Sequence, residues 1–541
     1  SMANGQARFM VGIDLGTTNS ALAFVDTAAA EDERRVQCLP IPQLIAPGEV
    51  EARPTLPSYV YLPEEHEVKP QMLALPWHDG DAADCAVGAW ARDLAATAPG
   101  KVVSSAKSWL SVESTDRRAE TLPYDRKPVP RQISPVEAAG KFLQHLRDAW
   151  NHQQAADDPG LRLENQEVLL TVPASFDAVA RELTVEAARA ADLDVTLLEE
   201  PQAAFYAWLH EQGDDWRDAV EAGDRVLVCD IGGGTTDFSL ISVHDVEGNL
   251  ELERTAVGEH ILLGGDNMDL TLAYGVAEKL QQEKQTRLDP YQIAGLTHAC
   301  REAKEKLDAG VEPDQAVPLT VLGRGSSVIG GTIKTEITGG EMSAQLVDGF
   351  FPACELEAEP AERRKVGLRS YGLDYAADPA VTRHLAAFLR RHQGDDDNAD
   401  LPSAVLFNGG VTRSNVLRER VVHVLRQWKT AADEAAFKVL TEASPDLAVA
   451  TGAAWYGNIK RSGGVRIKSG SPRSYYVGIE AAMPAVPGMA PPVDALCVVN
   501  FGLEEGSQVP VPAEGIGLVV GEATEFRFFS STARPEDEIG D

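Results

Sequence analysis

Residues 230–237 read Asp-Ile-Gly-Gly-Gly-Thr-Thr-Asp directly behind the apolar run 226–229. A buried strand of this kind delivers Asp230 at its mouth and lets the amides of Gly232, Gly233 and Gly234 close on an anion. Thr235 and Thr236 add hydroxyls, and Asp237 adds a second carboxylate. The succession suits a magnesium–polyphosphate, with the metal held by carboxylates mostly through water. A β-hairpin turn is also served by a triple glycine, so this stretch alone leaves both readings open.

An internal copy favours the phosphate reading. Residues 11–25, VGIDLGTTNSALAFV, repeat the strand, then Asp14, Gly16, Thr17, Thr18 and Asn19, then a second strand. A second pair of segments, 198–208 and 441–453, repeats a polar start, a proline at a first helical turn and an alanine-rich helix. Two copies of one α/β unit, each opening on a phosphate loop, imply two lobes facing each other across a nucleotide.

Six stretches, GIDLGTTNS, LLTVPASF, DIGGGTTDFSL, LLGGDNMD, FNGGVTRSN and SPDLAVATGAA, occur in the order seen in the 70-kilodalton heat-shock chaperones, and over residues 9–456 the chain resembles a divergent bacterial-type member. The resemblance implies a two-lobed, duplicated actin-like (ribonuclease H-like) α/β ATPase fold with insertion subdomains, using ATP/ADP and Mg2+. Gly16, Thr17, Thr18 and Asn19 then face Gly232, Gly233, Gly234 and Thr235 as two phosphate clamps. Asp14 and Asp230 hold the metal through its waters, and Glu200, beside Pro201 at a helix start, matches the glutamate that orients the attacking water. Gly264, Gly265 and Asp266 read as a γ-phosphate contact or an ordinary helix start. The family's catalytic lysine falls on Arg92, in the helical segment 87–96. On the adenosine side Gly409, Gly410, Arg413 and Asp446 match. The helix pattern of glutamate, lysine, arginine and serine becomes Arg301, Lys304, Glu305 and Asp308, which removes the purine-stacking arginine. The expected catalytic set is Asp14, Arg92, Glu200, Asp230 and Thr235. Pro173 and Arg181 match residues that relay nucleotide state outward. Unfolded or peptide clients, with a co-chaperone or nucleotide-exchange factor, are the partners implied.

The bulk numbers are compatible. The 541 residues are 44% hydrophobic and 24% charged, as in soluble globular proteins with large cores. Forty-nine basic against 83 acidic residues give a formal charge of −34, which argues against sequence-independent binding to nucleic acid or anionic membrane. Six scattered cysteines without C-x-x-C, and no signal-type or membrane-length apolar segment, point to a reduced, cytoplasmic setting. A small-molecule kinase of the same fold group and an actin-like assembly protein are the alternative functions.

The elements that must position these residues follow from pattern. Residues 1–8 read as a tag or disordered lead, 9–206 as lobe I, and 224–461 as lobe II. Residues 462–474 read as a linker, and 475–541 as a partial β-rich substrate-type segment with no room for a helical lid. Proline-rich 26–66 reads as loop and edge strand, 213–223 as polar linker and Asp395, Asp396, Asp397 and Asp400 as a solvated tip. Residues 134–154 carry a Ser N-cap, Pro at the first turn and helical apolar spacing. Strands are expected at 475–479, 496–501, 516–520 and 526–531. The linker lacks the family's leucine run, offering Val465 and Ile467 between Arg466 and Lys468.

Overall fold

In the computed structural model, residues 7–541 are described except 81–82, 113–115, 126–128, 309, 324–330, 364–372, 394–400, 442–443, 469, 472, 483–486, 489, 505–506, 513–516, 518–525 and 532. The acidic tip at 395–400 and most of the strand expected at 516–520 lie outside the described residues.

Strand Phe9–Leu15 is buried along nearly its whole length, as a strand covered on both faces must be. It runs antiparallel to Asn19–Asp26 and parallel to Glu167–Val172, which is parallel in turn to Val195–Glu199. Val36–Cys38 and Leu56–Pro57 pair with the outer side of Asn19–Asp26. The second sheet is laid out the same way. Arg225–Ile231 is antiparallel to Thr236–Val246 and parallel to Ala404–Asn408, which is parallel to Lys438–Leu440, while Asn249–Val257 extends the antiparallel side. The two sheets therefore share one strand order and one set of strand directions. Each has its own core, one around Ile13, Phe24, Phe142 and Trp150, the other around Leu227, Phe238, Leu272 and Phe388. We call the two bodies the first and second lobe.

Two helices tie the lobes together. Glu200–Gln212 follows the last strand of the first sheet, yet Phe205, Tyr206 and Trp208 pack with Val226, Val228 and Leu406 of the second. Ala448–Ser462 comes from the second lobe, and its Ala450 and Ala454 lie against Met10, Ala21 and Ala23 of the first. Gly12 permits this approach, because a Cβ there would stand 2.3 Å from the Ala450 carbonyl oxygen. Where the helices cross, a Cβ on Gly452 would lie 1.6 Å from the Ala203 oxygen, so their backbones touch.

Helix Pro135–Gln154 starts as its sequence dictates, the Ser134 hydroxyl accepting from the Glu137 amide at 3.0 Å. Segment 213–223 does more than its polar composition suggests: it forms the short helix Trp216–Ala219 and sends Trp216 and Val220 into the core below Glu200–Gln212. The segment read as a linker is seated too. Ile467–Lys468 adds a parallel strand beside Leu252 and Glu253, and the Ile467 amide donates to the Tyr206 hydroxyl at 2.8 Å. Beyond it, Ser474–Glu480 pairs antiparallel with Val493–Val499 and Phe528–Ser531.

Candidate functional site: a carboxylate-lined cleft between two glycine–threonine turns

The turns that end the first strand of each sheet meet across a cleft between the lobes. A Cβ on Gly233 would stand 2.2 Å from the Thr18 hydroxyl, and one on Gly234 would stand 2.1 Å from the Ser108 hydroxyl. Only glycine lets the lobes come this close. Asp14, Gly16, Thr17, Thr18 and Asn19 line one wall, and Asp230, Gly232, Gly233 and Thr235 line the other. Gly234 packs behind them against Thr17 and Ser108.

Electrostatics distinguish the floor of this cleft. Burial and the nearby Glu200 charge push the Asp14 carboxyl up to about 7, against the pull of Lys107 and the Thr171 hydroxyl. Asp230 is pushed well above the carboxylate range by burial and by Glu200 and Asp237, although Asn408 donates to it at 3.0 Å. Burial raises Glu200 as well, opposed by Lys107, with which it forms an ion pair. The Lys107 ammonium is held above its ordinary value, because Glu200 and Asp14 outweigh its burial. Three carboxyl groups thus lie near one ammonium at the base of the cleft. A divalent cation would balance the charge of this donor set and reverse the upward shifts of Asp14 and Asp230. The residues fit magnesium.

Two parts of the expected site stand differently from the rest. Arg92 does not line the cleft: helix Ala89–Leu94 buries Ala89, Trp90 and Ala91, which turns the Arg92 guanidinium toward Asp93 at 3.4 Å. The ammonium beside Asp14 and Glu200 belongs instead to Lys107. It stands on Ala106–Leu110, a five-residue helix entered through Ser105 at φ +55°. Five residues with one lysine offered no pattern in the sequence by which to find it. Gly264, Gly265 and Asp266 open helix Gly265–Lys284. The amides of Gly265 and Asp266 donate to the carbonyls of Gly232 and Gly233 at 3.0 and 2.7 Å, so they brace the glycine turn rather than stand free for an anion. Gly265 and Asp266 still line the cleft, whereas Gly264 packs against the Gly232 oxygen behind it.

The opposite end of the cleft is more apolar, with Val411, Leu417, Pro445 and Val449 beside Gly409 and Gly410. Arg413 and Asp446 pair there at 2.7 Å, both partly exposed. Lys304 bonds the Gly265 oxygen at 3.1 Å and pairs with Asp269 at 2.5 Å. Arg301 is fixed by Asp269 at 2.7 Å and Asp266 at 2.8 Å, and burial lowers it to about 10. Glu305 lines the mouth of the cleft from an exposed position. The Asp308 side chain lies outside the described residues. Away from the cleft, Arg181 bonds the carbonyls of Ala174 and Phe176 at 3.0 and 3.1 Å and reaches Glu199 at 3.5 Å. Glu199 also pairs with Arg254, which bonds the Gly470 carbonyl at 2.6 Å.

A family model described as Hsp70 protein matches residues 81–352, half of the chain. The chain belongs to the Hsp70 family. Membership carries the actin-like ATPase fold, and the mixed α/β sheets agree with it. Among curated Hsp70 relatives, a chaperone protein HscA homolog of Janthinobacterium sp. is 32% identical over 340 residues, covering 59% of this chain and 46% of that protein. The HscA homolog of Pseudomonas aeruginosa strain PAO1 is 33% identical over 315 residues, 56% of this chain and 42% of the relative. The chaperone protein DnaK of Stenotrophomonas maltophilia is 27% identical over 327 residues, 57% and 44% respectively. The matched part thus spans less than half of each of these Hsp70 relatives. Among the described residues, no helix is long and apolar enough to cross a membrane.

Proposed function

We propose that this Hsp70-family chain binds Mg·ATP between two copies of one α/β unit, hydrolyses it slowly, and uses nucleotide state to govern client binding in the cytoplasm. The observation that carries the reading is the set of buried Glu200 and Asp230 with half-buried Asp14 and Lys107 between two glycine–threonine turns. Phosphoryl transfer to water asks for positioning and charge neutralisation more than for covalent help. The two turns cradle the phosphates, and Asp14 and Asp230 hold the waters of a magnesium ion. That ion, when bound, neutralises charge on the phosphates. Lys107 gives a fixed positive charge beside the transferring group and holds Glu200, whose carboxylate orients the attacking water and accepts its proton. Arg413 and Asp446, with Val411, Leu417 and Val449, form the adenosine end.

The shared order and directions of the two sheets support the duplication. The β-rich end supports a client-binding role, since Phe526 and Phe528 are 52% and 66% exposed on it. Unfolded or peptide segments are its proposed ligands, with a co-chaperone or exchange factor acting on the cycle. Product analysis tests the core of the reading. With Mg·ATP and no acceptor, ADP and free phosphate accumulate, whereas phosphate appearing only on an added sugar or polyol overturns it.

A further inference from the structure

The sequence TVPASF places Ser175 in the turn after strand Glu167–Val172, on the first lobe. Facing it on the second lobe are Asp237, the cross-strand neighbour of Asp230, and His260, in the loop after Asn249–Val257. The Ser175 hydroxyl donates to the Asp237 carboxylate in a short hydrogen bond and lies 2.6 Å from His260 Nδ1. His260 Nδ1 is itself 3.8 Å from Asp237, and the imidazole packs edge-on against Phe176 at 5.7 Å. Ser175 and Asp237 are both buried. Other charged groups near the imidazole are Asp177, paired with Arg117, and Glu200, paired with Lys107.

Hydrogen counting orders the cluster. A hydroxyl has one proton, and Ser175 gives it to Asp237, so its oxygen is left to accept from Nδ1–H. This places a proton on Nδ1; Nε2 is buried and has no partner among the described residues. The arrangement differs from a nucleophile triad, in which serine and carboxylate bond opposite ring nitrogens and the serine proton moves to the base. Here both groups lie on the Nδ1 side of the ring, only the serine bonds it, and the hydroxyl is committed to the carboxylate. The bonds join two bodies instead of activating an oxygen.

We propose that Ser175, Asp237 and His260 form a clasp between the two lobes beside Asp230, with His260 the positioning residue that keeps the Ser175 hydroxyl on Asp237. The clasp sets how readily the lobes part on that side, independently of the contacts at the opposite rim, where the Tyr291 hydroxyl donates to the Thr97 carbonyl at 2.9 Å.

Amide hydrogen exchange on the nucleotide-free protein tests it directly. Ser175→Ala and His260→Gln are each expected to speed exchange about tenfold or more in segments 173–176 and 257–261, the scale for losing a buried hydrogen bond to a charged group. Exchange near Thr97 and Tyr291 stays at the wild-type rate, and Ser175→Thr, which keeps the hydroxyl, restores protection. Wild-type exchange in both variants overturns the clasp, as does an equal rise at the rim. A second readout rests on the nucleotide reading of the cleft: ADP dissociation quickens in Ser175→Ala by a similar factor. Wild-type protein that binds no ADP would defeat that reading and leave the exchange data to decide the clasp.

Discussion

Lys107 and Arg92 illustrate how a charge earns a role by what surrounds it. Lys107 is enclosed with Asp14 and Glu200, while Arg92 faces one exposed carboxylate. Lys107→Ala should therefore lower the single-turnover rate at saturating Mg·ATP by about 10²-fold or more, the scale for one preorganised donor to developing charge. Arg92→Ala should stay within about twofold of wild type, since exposed ion pairs contribute little. The reverse ranking would return the role to Arg92. Glu200→Gln should slow hydrolysis by about 10²-fold with ADP affinity nearly intact, because water orientation matters to the transition state and not to product binding. Equal losses in both would make Glu200 a structural helix start.

Asp14 gives a pH signature at the same scale. Its carboxyl is raised to about 7 by burial and by Glu200, above the ordinary carboxylate value it has in the unfolded chain. The folded state thus retains a proton the unfolded chain has lost. The stability this contributes is full below the ordinary value and is lost as pH rises toward about 7. Without nucleotide or magnesium, Tm is expected to fall over that window, and Asp14→Asn should flatten the fall. An unchanged slope in the variant would assign the effect to another group. Because Mg·ATP must displace the proton, its affinity for the wild type should rise with pH over the same range.

At the scale of elements, the strand-and-turn units were plain in the sequence because β-branched runs, glycines and threonines leave few other conformations. The capped helix Pro135–Gln154 was plain for a similar reason. What escaped was short or tertiary in origin. Ala106–Leu110 has no periodicity to read in five residues, and its entry through a left-handed serine is invisible to propensity. Trp216 and Val220 are single apolar residues in a polar stretch, buried only because Glu200–Gln212 leaves its own sheet to cover them. The bracing of the glycine turn by Gly265 and Asp266 depends on the closeness of two distant segments. Gly452 belongs here too: its alanine-rich helix was legible, its contact with Ala203 was not. Gly452→Ala should cost about 3 kcal/mol or more, since the crossing helices must move apart. Chemical denaturation measures this, and a loss under about 1 kcal/mol would show that the crossing yields easily.

For the whole molecule, the exchange of helices means that neither half of the chain carries all of its own core. Residues up to about 223 include Phe205, Tyr206 and Trp208, whose packing partners come from the second sheet, and the later half includes Ala450 and Ala454, which cover Met10 and Ala21. Each half made alone would bare the surface meant for the other's helix and should remain poorly folded or aggregate. Mixed during refolding, the two pieces should recover native circular dichroism and elute as a one-to-one complex. Stable, monodisperse halves would instead show that the exchanged helices are dispensable. The protein is in this sense a reciprocal graft, two pieces complementing one another although a peptide bond already joins them.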